Sequence, residues 1–327
     1  MAKTSANEFR YGGSIVQPGE RIHFRHTIGE TYLGDPIRVP VTIVNGAEPG
    51  LALVLVAALH GDELNGVETV RHIADEWNHA RLRGTLVCLH VVNVPWFNAQ
   101  ERYLPLDDSD LNRSFPGSND GTAAQRIAYS IYETFVRHCD LGIDILTSTR
   151  GRTNLVHVRG DLRDDRVDRL ARAFDPAVIL SGTGPDGSLR KCATERGVPT
   201  ITVEMGEAER FQRHLIDEAL RGIRSVFGEF DLYPDEAVRW GNRRGIVSEV
   251  SNATWLRADE GGIVEMHVDS GEFVDEQESI CTITNPFSKD LVTVDAPFDG
   301  VVLGLLETPV VWPGNPLCHL VPATGVA

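Results

Sequence analysis

The sequence predicts an α/β fold, a mixed sheet flanked by helices, followed by a small all-β unit at its C-terminal end. Short β-branched runs alternate with longer amphipathic stretches from Leu51 to about Phe230. That alternation stops after the YPDE turn around Pro234, and short alternating strands punctuated by Gly and Pro take over. The expected partition is 1–240 and 241–327, with residues 10–45 reading as extra strands ahead of the α/β core. A chain of 327 residues with 42% apolar side chains has core enough for both units.

The run LALVLVAA at 51–58 is continuously apolar, bounded by polar turns and far too short to span a bilayer, so it reads as a buried strand. Segments 85–92, 141–147, 177–181 and 199–205 read the same way. Segments 63–79, 122–138, 164–174 and 213–228 carry apolar residues at three- and four-residue steps and read as helices. In sheets built this way, working residues sit just past the carboxyl ends of strands. Beyond 240, phrases such as GGIVEMHVDSGEFVDEQESICTI resemble the flattened barrel-sandwich hybrid of biotinyl and lipoyl carriers. No Lys occupies the turn those carriers modify, so the likeness implies a shape and not a swinging arm.

The balance of 31 Lys plus Arg against 47 Asp plus Glu gives a net charge of −16. Nucleic acid and anionic membranes both require a basic surface, so neither is expected as partner. Residues 241–327 hold 13 acids and 4 bases, a solvated acidic face. A small anionic substrate in a locally basic pocket stays compatible. The five cysteines, Cys88, Cys139, Cys192, Cys281 and Cys318, are widely spaced and form no C-x-x-C pair, so reduced core thiols are expected. The first residues lack an apolar signal core, so a cytoplasmic location is the expectation, while a homo-oligomer is left open.

Three phrases carry chemistry. In AALHGDELNG a strand ends in His60, with Glu63 three residues on at a helix start, and an imidazole and a carboxylate so spaced can bind one Zn²⁺ from the same side. The alternative is a surface His with Glu63 favouring the helix N-terminus. Gly61 in that turn suits close approach to a ligand. The long loop NVPWFNAQERYLPLDDSDLNRSFPGSNDG contains Arg102, Asp110, Asn112 and Arg113. Arg113 beside Asn112 could clamp a carboxylate through its planar fork, or pair with a neighbouring Asp. In TITVEMGEAERF, Glu204 ends a β-branched strand, where partial burial would raise its pKa and suit a general base; a structural ion pair is the alternative. His72, His79, His90 and His214 read as helix-surface or strand residues.

Together these phrases resemble the succinylglutamate desuccinylase and aspartoacylase family, relatives of the zinc carboxypeptidases. The matching stretches are HGDE at 60–63, RY at 102–103, DLNRSFPG at 110–117, GRTN at 151–154 and VEMG at 203–206, along with the β unit after 240. The likeness spans roughly 40–325, and DLNR-x-FPG downstream of HGDE is far more specific than either alone. It implies a zinc-carboxypeptidase-like mixed sheet and one Zn²⁺ per chain ligated by His60 and Glu63. It further implies that Arg102 polarises the scissile carbonyl, Asn112 and Arg113 hold the substrate carboxylate, and Glu204 activates water. The activity implied is a zinc-dependent amidohydrolase acting on a small N-acyl amino acid.

One position departs from the pattern. Family members carry a second zinc His in a phrase like DLHT, whereas this chain reads DILT, with Leu146 in the imidazole's place. Leucine has no lone pair, and two protein ligands instead of three leave a weaker site. Three accounts stay open: His157 or Asp144 substitutes, Leu146 is an introduced inactivating change, or the chain has lost turnover while still binding an acyl amino acid. A peptidase trimming C-terminal residues is less favoured, since the family's β domain narrows the entrance.

Overall fold

The computed structural model describes residues 8–76, 81–102, 109–233, 245–287 and 291–323. His79, Tyr103, the turn at Pro234 and the 240/241 boundary lie outside the described residues. In chain order the elements begin with strands β1 (Phe9–Tyr11), β2 (Ser14–Val16), β3 (Glu20–Glu30), β4 (Pro36–Asn45) and β5 (Glu48–Ala57). The α/β core continues with α1 (Leu64–Glu76), β6 (Arg83–Leu89), α2 (Val94–Ala99), α3 (Ala123–Thr134), β7 (Leu141–Leu146), β8 (Arg152–Asn154) and β9 (His157–Gly160). Next come α4 (Asp165–Phe174), β10 (Val178–Ser181), α5 (Leu189–Glu195), β11 (Thr200–Glu204), α6 (Arg213–Glu229) and β12 (Ile246–Glu249). The C-terminal part holds β13 (Thr254–Arg257), β14 (Gly262–Met266), β15 (Phe273–Val274), β16 (Ser279–Thr284), β17 (Leu291–Asp295), β18 (Gly300–Leu306), β19 (Val310–Val311) and β20 (Pro316–Pro322).

Nine strands form one mixed sheet in the order β12-β10-β9-β11-β7-β5-β6-β4-β3. The centre β11-β7-β5-β6 is parallel, and β9 meets β11 antiparallel. Period-two alternation explains why β5 is apolar throughout: Leu53, Leu55 and Ala57 pack on one face with Val70, Ile73 and Ile223, while Val54 and Val56 pack on the other with Trp96, Ile127 and Ile131. Helices cover both faces, so each side chain leaves water, and a fully buried Leu or Ile contributes roughly 1.5–3 kcal/mol.

Local signals set the ends of the elements. Thr122 and Gln125 form a capping box at the start of α3, and Asp164 accepts the Arg166 amide at the start of α4. The loop after β6 is less bare than its composition suggests. Pro95 opens the short α2, which buries Trp96 and stops where Gln100 turns left-handed. All five cysteines are free and buried, as their spacing implies. No described helix is long and apolar enough to cross a membrane.

The C-terminal strands form the four-stranded sheet β17-β16-β14-β19 and the four-strand path β13-β20-β18-β15, and two strands tie them to the core. β12 follows the undescribed stretch yet pairs in parallel with β10 at the edge of the large sheet. β8, within the α/β segment, pairs antiparallel with β18 of the C-terminal unit. Sequence pattern assigns β12 to the all-β unit because a four-residue strand carries no mark of which sheet it joins.

Candidate functional site

The cavity lies where β5, β7 and β11 end at their carboxyl termini. It encloses about 250 Å³ and is lined by His60, Glu63, Arg102, Asn112, Arg113, Leu146 and Glu204, among others. Of the site positions read from the sequence, these seven meet in one pocket, whereas the two candidate substitutes His157 and Asp144 do not line it. Alternation sets which side chains face it: Ile143 and Ile145 on β7, with Ile201 and Val203 on β11, point into the opposite core, so Leu146 and Glu204 turn toward the cavity.

After β5 the backbone turns at Ala58, which has φ +51°, and presents His60, which is 3% exposed. His60 Nδ1 lies 2.7 Å from Glu63 Oε1, and Nε2 lies 3.0 Å from Asp110 Oδ1. Burial would push His60 down, but Glu63 and Asp110 raise its pKa to about 10. Glu63 is buried. Its Oε1 also accepts from Arg102 at 2.8 Å, and its Oε2 accepts from the Thr147 amide at 3.2 Å. The close approach expected of Gly61 is to the protein itself: a Cβ there would lie 2.1 Å from the Trp96 carbonyl carbon.

At the far wall, Glu204 Oε1 meets Arg159 Nε at 2.9 Å and Oε2 accepts from Asn154 Nδ2 at 2.8 Å. The expected upward shift of Glu204 is corrected here. Burial pushes its carboxyl up, but the cationic Arg159 beside it, with Arg102 farther off, outweighs that and leaves the pKa below its ordinary value. The carboxylate is therefore ionised at neutral pH.

Asn112 is buried, and its Oδ1 accepts the Leu189 amide at 2.9 Å. Arg113 is half exposed, donates to the Asn112 carbonyl at 2.7 Å and stands 4.0 Å from Asp110. Arg152, Arg159, Arg190 and Trp255 also line the cavity and were not singled out from the sequence. Arg152 stands in the matching GRTN stretch, where no role is read for it, Arg159 and Arg190 stand in phrases with no distinctive pattern, and Trp255 arrives from the C-terminal unit. Five guanidiniums face the cavity against the carboxylates Glu63 and Glu204, which makes it locally basic inside an acidic chain. Arg190 is 6% exposed and donates to the Gly182 carbonyl, with no carboxylate within 4 Å among the described residues.

His157 does not line the cavity with His60 and Glu63. It is fully buried, with Nδ1 2.9 Å from the Leu155 carbonyl oxygen and Nε2 accepting from Arg159 at 3.2 Å, and burial lowers its pKa to about 4. Asp144 is fully buried on the strand face of Leu146, and neither carboxyl oxygen has a hydrogen-bond partner. Among the described residues no three His, Cys, Asp or Glu side chains gather where a metal could sit. The protein thus offers two convergent donors, His60 and Glu63, with Asp110 holding the imidazole from behind as outer carboxylates do around metal-binding histidines. That pair fits a divalent metal bound through two protein ligands and does not fit a three-ligand shell.

The succinylglutamate desuccinylase/aspartoacylase catalytic domain matches residues 49–229. The N-alpha-acetyl-L-2,4-diaminobutyric acid deacetylase of Halomonas elongata is 25% identical over 276 residues, covering 81% of this chain and 80% of that protein. A succinylglutamate desuccinylase from Silicibacter sp. TM1040 superposes with a TM-score of 0.80 at 21% identity, over 93% of this chain and 95% of that one. The product-bound ectoine utilization protein EutE of Ruegeria pomeroyi gives a TM-score of 0.80 at 19% identity, over 99% of this chain and all of that one.

Proposed function

The chain belongs to the succinylglutamate desuccinylase/aspartoacylase family, and on that premise we propose that it hydrolyses the amide bond of a small N-acyl amino acid. The observation that carries this reading is the meeting of His60, Glu63, Arg102, Asn112, Arg113 and Glu204, drawn from remote segments, around one basic cavity of about 250 Å³. A space of that size suits a metabolite better than a polypeptide. The deacetylase relative, named for a small acetylated amino acid, supports the same substrate class.

The substrate's carboxylate is held by Arg113 and Asn112, with the buried Arg190 adding positive potential from the same cavity. Glu204 takes a proton from the attacking water and delivers it to the departing nitrogen. A carboxylate oxygen has two lone-pair directions, so Glu204 keeps an acceptor site on each oxygen beyond those used by Arg159 and Asn154. Arg102 stabilises the negative charge that develops on the carbonyl oxygen. One Zn²⁺ would be held by His60 and Glu63, and when bound it supplies an acidified water and polarises the amide carbonyl.

Leu146 favours a second reading, a protein that binds an acyl amino acid without turnover. Two measurements separate the readings: the zinc content of the purified chain and its activity on a panel of N-acyl amino acids. Bound zinc with hydrolysis supports the deacylase, while metal-free protein that binds the panel without cleaving it supports the binder.

A further inference from the structure

The C-terminal unit reaches the cavity by two routes. Trp255 on β13 lines it directly, stacked on His319 of β20 at 4.4 Å with the rings 2° from parallel. The second route is less visible and ends on Glu204. Trp255, His319, Gly304 and Asn154 form one row across β13, β20, β18 and β8, because Trp255 pairs with His319, and Gly304 pairs with both His319 and Asn154. Asn154, at the end of that row, gives its amide hydrogen to Glu204 Oε2.

Gly304 is fixed by close approach. A Cβ there would lie 2.4 Å from Asn154 Oδ1 and 2.9 Å from the Thr153 carbonyl oxygen, so any side chain would drive the Asn154 amide from its place. The direction of that amide is not free. A carboxylate only accepts, so Nδ2 must face Glu204 and Oδ1 must face Gly304. The Asn154 backbone is tied to the segment just after Glu204, exchanging bonds with Gly206 at 2.8 and 3.2 Å.

We propose that Asn154 is a positioning residue that aims the Glu204 carboxylate, and that the C-terminal β unit keeps it there through the bare contact at Gly304. Arg159 holds the other oxygen, so the carboxylate plane is fixed from two sides, one cationic and one neutral. The inference rests on the reading of Glu204 as general base, and its test separates the two.

The test compares the full-length chain with Asn154→Ala, Gly304→Ala and the double variant. One readout is turnover of an N-acetyl amino acid. The other is the carboxyl-carbon NMR titration of Glu204, which needs no turnover. Arg159, His157, His319 and Arg102 face Glu204 in every variant. Loss of the amide donor should raise the Glu204 midpoint in both single variants and lower kcat about tenfold with KM within about twofold. The double variant should match Asn154→Ala rather than multiply the losses, and should unfold at a higher temperature than Gly304→Ala alone, because the colliding oxygen is gone. An unchanged midpoint and kcat in Asn154→Ala overturns the proposal. Multiplied losses in the double variant overturn the Gly304 link. If Glu204→Gln leaves turnover intact, the base assignment fails instead, and the NMR midpoint still decides whether Asn154 holds the carboxylate.

Discussion

The two walls of the cavity differ in how completely the protein supplies their polar groups. At the Glu204 wall both carboxylate oxygens are held, by Arg159 and Asn154. At the opposite wall His60 and Glu63 are held as firmly, by Asp110, Arg102 and the Thr147 amide, yet the next strand offers Leu146 where a third donor is expected. The backbone there is undisturbed: Leu146 keeps its register opposite Glu204, and its carbonyl accepts the Met205 amide at 3.1 Å. The contrast teaches that one side chain on β7 removes a donor without loosening the frame around it. A deficit confined to one side chain is repairable at one side chain.

The largest expected effect falls on the complete wall. In a Leu146→His background, Glu204→Gln should lower kcat by about a hundredfold or more while substrate affinity changes little. Steady-state kinetics with equilibrium binding checks this, and a small loss in kcat would mean that another group takes the proton. Arg113→Ala should weaken binding of an N-acyl amino acid about tenfold in calorimetric titration, and should not weaken binding of the corresponding carboxamide. Equal losses for both ligands would leave Arg113 without a carboxylate to hold.

The smallest effect concerns the scaffold behind Glu204. His157 and His319 are buried and neutral, with burial depressing them to about 4 and about 3. Their ordinary value is about 6.5, so below that pH the unfolded chain takes up protons that the folded chain refuses. Their contribution is complete above about pH 6.5 and is lost as pH falls through 4 and then 3. Urea unfolding at pH 7 and pH 4.5 should show a smaller drop in stability for His157→Gln than for the parent chain. An identical drop would place the acid sensitivity elsewhere.

Much of this was legible in the sequence, and the reason is periodicity. The strand expected at 141–147 appears at Leu141–Leu146, and the helix expected at 213–228 at Arg213–Glu229, because each carries its own apolar pattern. Strands too short for a period were not legible. β8 and β12 have three and four residues, and each joins the sheet of the other unit. The site divides the same way. His60, Glu63, Asn112, Arg113 and Glu204 stand in distinctive phrases, whereas Arg159 acts only because antiparallel pairing of β9 with β11 sets it beside Glu204. That pairing also reverses the expected pKa shift of Glu204: burial was readable from its strand, but the neighbouring guanidinium was not.

If His60 and Glu63 hold a metal as proposed, the shell lacks one donor and position 146 is where that donor belongs. Zinc affinity by chelator competition, for the parent chain and for Leu146→His, tests it most directly. The substitution should tighten zinc binding by at least about tenfold, and His60→Ala should abolish the gain. Equal affinity in the parent chain and in Leu146→His would contradict the claim.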